Sequence, residues 1–231
     1  MKKILLFILS FAWVAYADTQ RVVYPYFDVT VGGKSISTSY KVKSKYNYYF
    51  DREKDEMVYN KDLFYNVTSF DGLGVDIDFK GGVILRDILP FSFVPFLNVG
   101  VFYVNGTEEY KYYSLDKDEF QRKWTRAYIS LLLGVMVYPF ELNDSSLQGV
   151  FVSIAAGPSL MEYSSNGNQM SNIEQETVIV LELGNVWSVS EHYAIGLSGK
   201  IAWGFSFDGD NKDDVPVNST AFGLALKLVR K

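Results

Sequence analysis

The chain has no cysteine, a single histidine and no excess of basic residues. The first absence excludes thiol chemistry, thiolate metal sites and disulfide staples. A large secreted domain usually carries disulfides, so their absence favours a bacterial envelope protein whose sheet closes on itself. With 22 Lys and Arg against 27 Asp and Glu, the net charge is −5 and no dense cationic cluster occurs. Nucleic acid is therefore not an expected partner. Long hydrophobic runs are also missing beyond the first residues. Met1–Ala17 carries Lys2 and Lys3, an apolar run from Ile4 to Val14, and Ala15-Tyr16-Ala17. Small residues at 15 and 17 fit a signal-peptidase site, which divides the chain into a signal peptide, 1–17, and a mature domain, 18–231. That run is shorter than the ~20 residues of a spanning helix, and nothing later could serve. A membrane location would require strands.

What is abundant is aromatic residues, 16% of the chain with 17 Tyr and 17 Phe, arranged in strict alternation. The clearest case runs from Glu174 to Phe207, two alternating stretches joined at Ser188–Glu191. One face of the second carries Tyr193, Ile195, Leu197, Ile201, Trp203 and Phe205. The other carries Ala194, Gly196, Ser198, Lys200, Ala202 and Gly204. Period-two alternation means strand. Bulky residues on one face with small or charged ones on the other is the polarity of a transmembrane barrel. A soluble barrel of the lipocalin kind would need charges on its outer face, whereas the opposite faces here offer mainly Gly, Ala and Ser.

Six further strands follow the same rule: Tyr24–Tyr40, Ser69–Leu85, Phe91–Val104, Thr125–Tyr138, Gly149–Met161 and Ser219–Val229. Their connections alternate, short at Arg86–Pro90, Phe140–Gln148 and Ser188–Glu191, longer at Lys41–Thr68, Asn105–Trp124, Glu162–Ile173 and Asp208–Asn218. The expectation is an all-β fold, an eight-stranded antiparallel up-and-down transmembrane β-barrel with short periplasmic turns and long extracellular loops. On strands such as YAIGLSGKIAWGF and TAFGLALKL, the chain resembles the small eight-stranded outer-membrane barrels of the OmpA/OmpX type. The resemblance implies the bacterial outer membrane, with no periplasmic peptidoglycan-binding domain. It departs from that type at its end, Leu228-Val229-Arg230-Lys231, where an aromatic residue is usual.

Inward positions collect Asp28, Asp76, Asp78 and Glu182 with Lys80, Lys200 and Lys227; Arg126 makes the count even. A small barrel is filled by its side chains, so these groups are expected to pair and close the lumen. The alternative is a narrow gated pore. The outward aromatics Phe79, Tyr103, Tyr193, Trp203, Phe205 and Phe222 are expected to face lipid near the interfaces. Asp76 and Asp78 share a face but lie mid-strand beside Lys80, without the cleft that acid–base catalysis needs. The fold also hosts outer-membrane lipid-modifying enzymes that rely on His and Ser; here His192 falls at a periplasmic turn, the wrong end for outer-leaflet lipid. Asp208, Asp210, Asp213 and Asp214 form an acidic loop, but Lys212 spoils the EF-hand spacing. Asn66, Asn105, Asn143 and Asn218 match the N-x-[ST] pattern in segments read as loops or turns. No catalytic residue, metal or cofactor is expected. The expected partners are outer-membrane lipid and an extracellular ligand at loops 41–68 and 105–124, and the expected state is a monomer.

Overall fold

The computed structural model describes residues 23–43, 48–51, 56–59, 65–85, 91–111, 119–140, 147, 149–165, 168–206 and 217–230. The signal at 1–17 and the acidic loop at 208–214 lie outside them. Ten strands run in chain order: β1 Val23–Lys43, β2 Tyr48–Asp51, β3 Glu56–Tyr59, β4 Tyr65–Leu85, β5 Ser92–Lys111, β6 Glu119–Tyr138, β7 Val150–Ser165, β8 Asn168–Ser188, β9 Tyr193–Ser206 and β10 Val217–Arg230. Eight close into an antiparallel barrel in the order β1-β10-β9-β8-β7-β6-β5-β4, while β2 and β3 form a separate small hairpin. The last strand returns to the first, pairing Phe27 with Arg230 and Thr38 with Ser219. Closure leaves the barrel itself without an edge strand.

Alternation decides which side of each strand enters the barrel. On β10, Ala221, Ala225, Lys227 and Val229 are buried, whereas Phe222, Leu224, Leu226 and Leu228 are exposed, Leu224 at 78%. On β4, Asp76, Asp78 and Lys80 are buried while Leu73, Val75, Phe79 and Val83 are exposed. The exposed apolar stretch of β4, Leu73 to Val83, fits the roughly 9–11 residues of a strand crossing hydrocarbon.

Two expectations about the connections are corrected. The strands at the long-loop end continue well past the sequence boundaries: β5 reaches Lys111, β6 starts at Glu119, β7 reaches Ser165 and β8 starts at Asn168. The β7–β8 connection is thus 166–167, shorter than the 139–149 connection at the other end, so strict short-long alternation does not hold. The extensions carry polar outward residues such as Thr107, Glu109, Gln121 and Lys123, which resemble loop in composition. Their backbones nevertheless stay paired, Thr107 with Lys123 and Glu109 with Gln121. Likewise Asn66, Asn105 and Asn218 lie in strands rather than loops.

Inward glycines let neighbouring strands approach. A Cβ on Gly74 would lie 2.0 Å from the Tyr103 carbonyl oxygen and 2.7 Å from Val104 Cα, both backbone atoms of β5. A Cβ on outward Gly33 would meet nothing within 4 Å. Gly74→Ala is expected to destabilise the barrel by about 1–3 kcal/mol through overpacking. Gly33→Ala should be neutral or stabilising by about 0.5–1 kcal/mol, because it removes backbone freedom from the unfolded chain. Urea unfolding in detergent micelles compares the two; equal effects would show that inward glycines do not set the wall spacing.

Candidate functional site: the charged lumen

The register carries charged residues from β1, β4, β8, β9 and β10 into one belt at mid-height. Asp28 stands opposite Lys80, and Glu182 stands opposite Lys200. The ion pairs also reach across the interior. Lys227 Nζ lies 2.6 Å from Asp28 Oδ2 and 2.9 Å from Glu182 Oε1. Lys80 Nζ bonds Glu182 Oε2 and sits 3.8 Å from Asp28 Oδ2. Lys200 Nζ donates to Asp76 Oδ2 at 2.8 Å and also bonds Asp78 Oδ2.

Neutral donors add hydrogen bonds to three of these carboxylates. Thr30 Oγ1 donates to Asp28 Oδ1 at 2.7 Å, and Tyr26 OH to Asp28 Oδ2 at 3.0 Å. Asn98 Nδ2 donates to Asp78 Oδ1 at 3.1 Å, and Ser153 Oγ to Glu182 Oε2 at 3.3 Å. Pairing and hydrogen bonding of this kind are what make buried charge tolerable.

Charge balance is corrected by the structure. Arg126 is not the fourth base of the belt: its Nη2 lies 3.5 Å from Glu108 Oε1 and its guanidinium 3.7 Å from the Phe70 ring centroid. Lys34 joins the belt instead, with Nζ 3.9 Å from Asp76 Oδ1 and 4.7 Å from the Phe102 ring centroid. Four acids, Asp28, Asp76, Asp78 and Glu182, thus meet four bases, Lys34, Lys80, Lys200 and Lys227. Lys34 was legible in principle, since the inward face of β1 continues Asp28, Thr30, Gly32, Lys34. Glu108 was hidden because the alternation was stopped at Val104, before the polar extension of β5.

Apolar layers lie on both sides of the belt. Towards the turn end, Tyr26, Val94, Met136, Phe151 and Val229 are fully buried. Towards the loop end, Phe70, Val104 and Trp124 are buried around the Arg126–Glu108 pair. Between them remains a cavity of about 60 Å³ bordered by Lys34, Asp76, Asn98, Phe102, Tyr128 and Lys200 among others. That holds a few waters and no larger solute. Asp76 and Asp78 are both held by one ammonium group, so they offer no free acid–base pair. His192 is exposed in the 189–192 turn. Among the described residues no group of three or more His, Cys, Asp or Glu could hold a metal. The six singled-out aromatics all face outward, Phe79, Tyr103, Tyr193 and Phe222 exposed and Trp203 and Phe205 half-buried.

The chain matches no protein-family model and no curated protein. Solved structures to which the chain is similar include Neisserial surface protein A, at 12% identity and a TM-score of 0.41, covering 89% of this chain and 96% of that one. Another is the outer membrane protein OprG from Pseudomonas aeruginosa, at 10% identity and a TM-score of 0.39, covering 89% and 94%. The outer membrane protease OmpT from Escherichia coli gives 10% identity and a TM-score of 0.41, covering 91% and 96%. These likenesses are too distant to carry an activity from one protein to another.

Glu182→Leu leaves Lys80 and Lys227 short of a carboxylate and is expected to cost about 3–5 kcal/mol. Adding Lys80→Met removes the opposite charge and leaves Lys227 on Asp28. The double variant should therefore be more stable than Glu182→Leu alone. Denaturant titration of both variants checks this; a double variant no more stable than the single one would contradict the pairing.

Proposed function

We propose that the chain is a bacterial outer-membrane barrel with a structural or surface-interaction role, exported by its 1–17 signal and acting through its loop end. The observation that carries this reading is the inverted polarity of the wall. Exposed positions hold Leu, Val, Ile and Phe, whereas the interior holds a neutralised charge belt. In water an outer wall of this kind would drive association; in a bilayer it is the face hydrocarbon requires. No helix among the described residues is long and apolar enough to cross a membrane, so crossing would fall to the strands.

The described interior is filled by the charge belt and the apolar layers on either side of it, which supports placing the interaction on the outside of the barrel. At the loop end the described parts of segments 41–68 and 105–124 are the β2–β3 hairpin and the ends of β1, β4, β5 and β6, and these are the surface on which an extracellular ligand would be met. The pore reading draws on the charged belt, but it needs the apolar layers to part as well. A lipid-modifying role draws only on His192, which sits at the opposite end from those segments.

Two measurements test the proposal. Folded protein should resist SDS until boiled and then shift in gel mobility; a protein soluble and monodisperse without detergent would sink the membrane assignment. In planar bilayers, wild type and Glu182→Leu should both fail to conduct, because the apolar layers survive the substitution. Discrete conductance steps from wild type would favour the pore. For the interaction role, an epitope inserted at 112–118 should be reachable by antibody on intact cells.

A further inference from the structure

The outward wall changes from apolar to polar at the upper edge of its apolar belt, and between β10 and β5 that boundary carries a hollow. The row at the edge reads Phe222, Ser35, Leu73, Asn105 across β10, β1, β4 and β5. The next row towards the loop end reads Thr220, Ser37, Asp71, Thr107. Phe222 and Leu73 are 56% and 73% exposed and belong to the belt. Ser35 between them is short, and its hydroxyl turns back to donate to the Phe222 carbonyl oxygen. The hollow over these two rows measures about 500 Å³. Small-molecule sites span roughly 300–1,000 Å³, so a group of ring size fits.

In a bilayer this hollow stands where hydrocarbon gives way to water, the height of a lipid headgroup. Its lining decides which headgroup. Asp71 is exposed, and an ionised carboxylate only accepts hydrogen bonds, on two oxygens side by side. Asn105 Oδ1 already accepts from Thr125 Oγ1 at 2.7 Å, which leaves the Nδ2 hydrogens as donors. Ser37, Thr107 and Thr220 add hydroxyls, which both donate and accept. Among the described residues no Lys or Arg borders the hollow, so it has no cation with which to hold a phosphate. One carboxylate is likewise too few for a calcium site. Neutral donors and acceptors spaced by neighbouring strands, ~4.8 Å apart, match a ligand with hydroxyls all round it. Adjacent hydroxyls of a sugar ring donate to the two Asp71 oxygens, and Asn105 Nδ2 donates to a sugar oxygen. The C–H face of the ring rests on Phe222 and Leu73. We propose that this hollow binds the uncharged sugar headgroup of a glycolipid, whose acyl chains join the lipid against the belt below. This rests on the membrane reading given above and names a ligand class for its outer surface.

The test is native mass spectrometry of delipidated, folded protein released from a detergent that carries no sugar, after exposure to monoglucosyl-diacylglycerol, diacylglycerol or phosphatidylglycerol with the same acyl chains. One glucosyl lipid should be retained, preferred over each of the other two by about tenfold, the scale of one or two net hydrogen bonds. Asp71→Asn replaces one of the two acceptor oxygens by a donor and should cut that preference to about twofold or less. Ser35→Leu fills the floor of the hollow and should abolish the preference, while the boiled and unboiled gel mobilities stay as in wild type. Equal retention of the glucosyl lipid and diacylglycerol by wild type, or a preference that survives both substitutions, would overturn the proposal. Stronger retention of phosphatidylglycerol would overturn it in favour of an anionic headgroup. Displacement of the glucosyl lipid by an equal concentration of methyl glucoside would overturn it in favour of a free sugar. Loss of heat-modifiability in wild type would instead fail the membrane reading itself, so the two failures are distinguishable.

Discussion

Closing eight strands into a barrel leaves an interior just wide enough for side chains to fill it, and the rest of the molecule follows from that constraint. Bulky residues cannot enter at every position, so inward glycines and alanines let the strands approach, as Gly74 does against the backbone of β5. The charged residues that do enter have nowhere to go but onto one another. A wider barrel could hydrate Lys80 or Lys227; here each reaches a carboxylate on another strand.

The same narrowness explains why the interior is stratified. Charge occupies the middle, where the register brings acids and bases from five strands together, and buried apolar side chains lie on either side, with the Arg126–Glu108 pair among those towards the loop end. Aromatic rings mark the boundaries between these layers and also touch the cations: Lys227 Nζ lies 4.5 Å from the Phe151 ring centroid, and Lys80 Nζ 5.5 Å from that of Phe96. These two ammonium groups thus meet both carboxylates and a π-face, a contact that costs less than bare hydrocarbon.

Much of this was legible in the sequence because alternation is a local property. The strand count, the face each residue takes and the inward placement of Asp28, Asp76, Asp78, Lys80, Glu182, Lys200 and Lys227 all follow from period two. What was not legible depends on register across the sheet. Lys80 meets Glu182 at a separation of 102 residues, and Lys200 meets Asp78 at 122; no local pattern chooses those pairs. Arg126 was assigned to the belt for the same reason, since a face can be read from sequence but a height cannot. The strand ends were misjudged because polar outward residues look like loop even while their backbones stay paired.

The seam of the barrel lies between β1 and β10, the first and last strands made. Two of its most deeply buried charges face each other there: Asp28 is 1% exposed and Lys227 is 3% exposed. Each also has a partner on its own side of the seam, Lys80 at 3.8 Å from Asp28 and Glu182 at 2.9 Å from Lys227, and the 2.6 Å contact between them is the one that only closure can make. Zipping the seam and forming that contact are therefore one event. A chain that has laid down every strand but not joined its ends holds both groups with one opposite charge each instead of two. The seam pair thus adds to the finished barrel an electrostatic contact that the nearly finished one lacks.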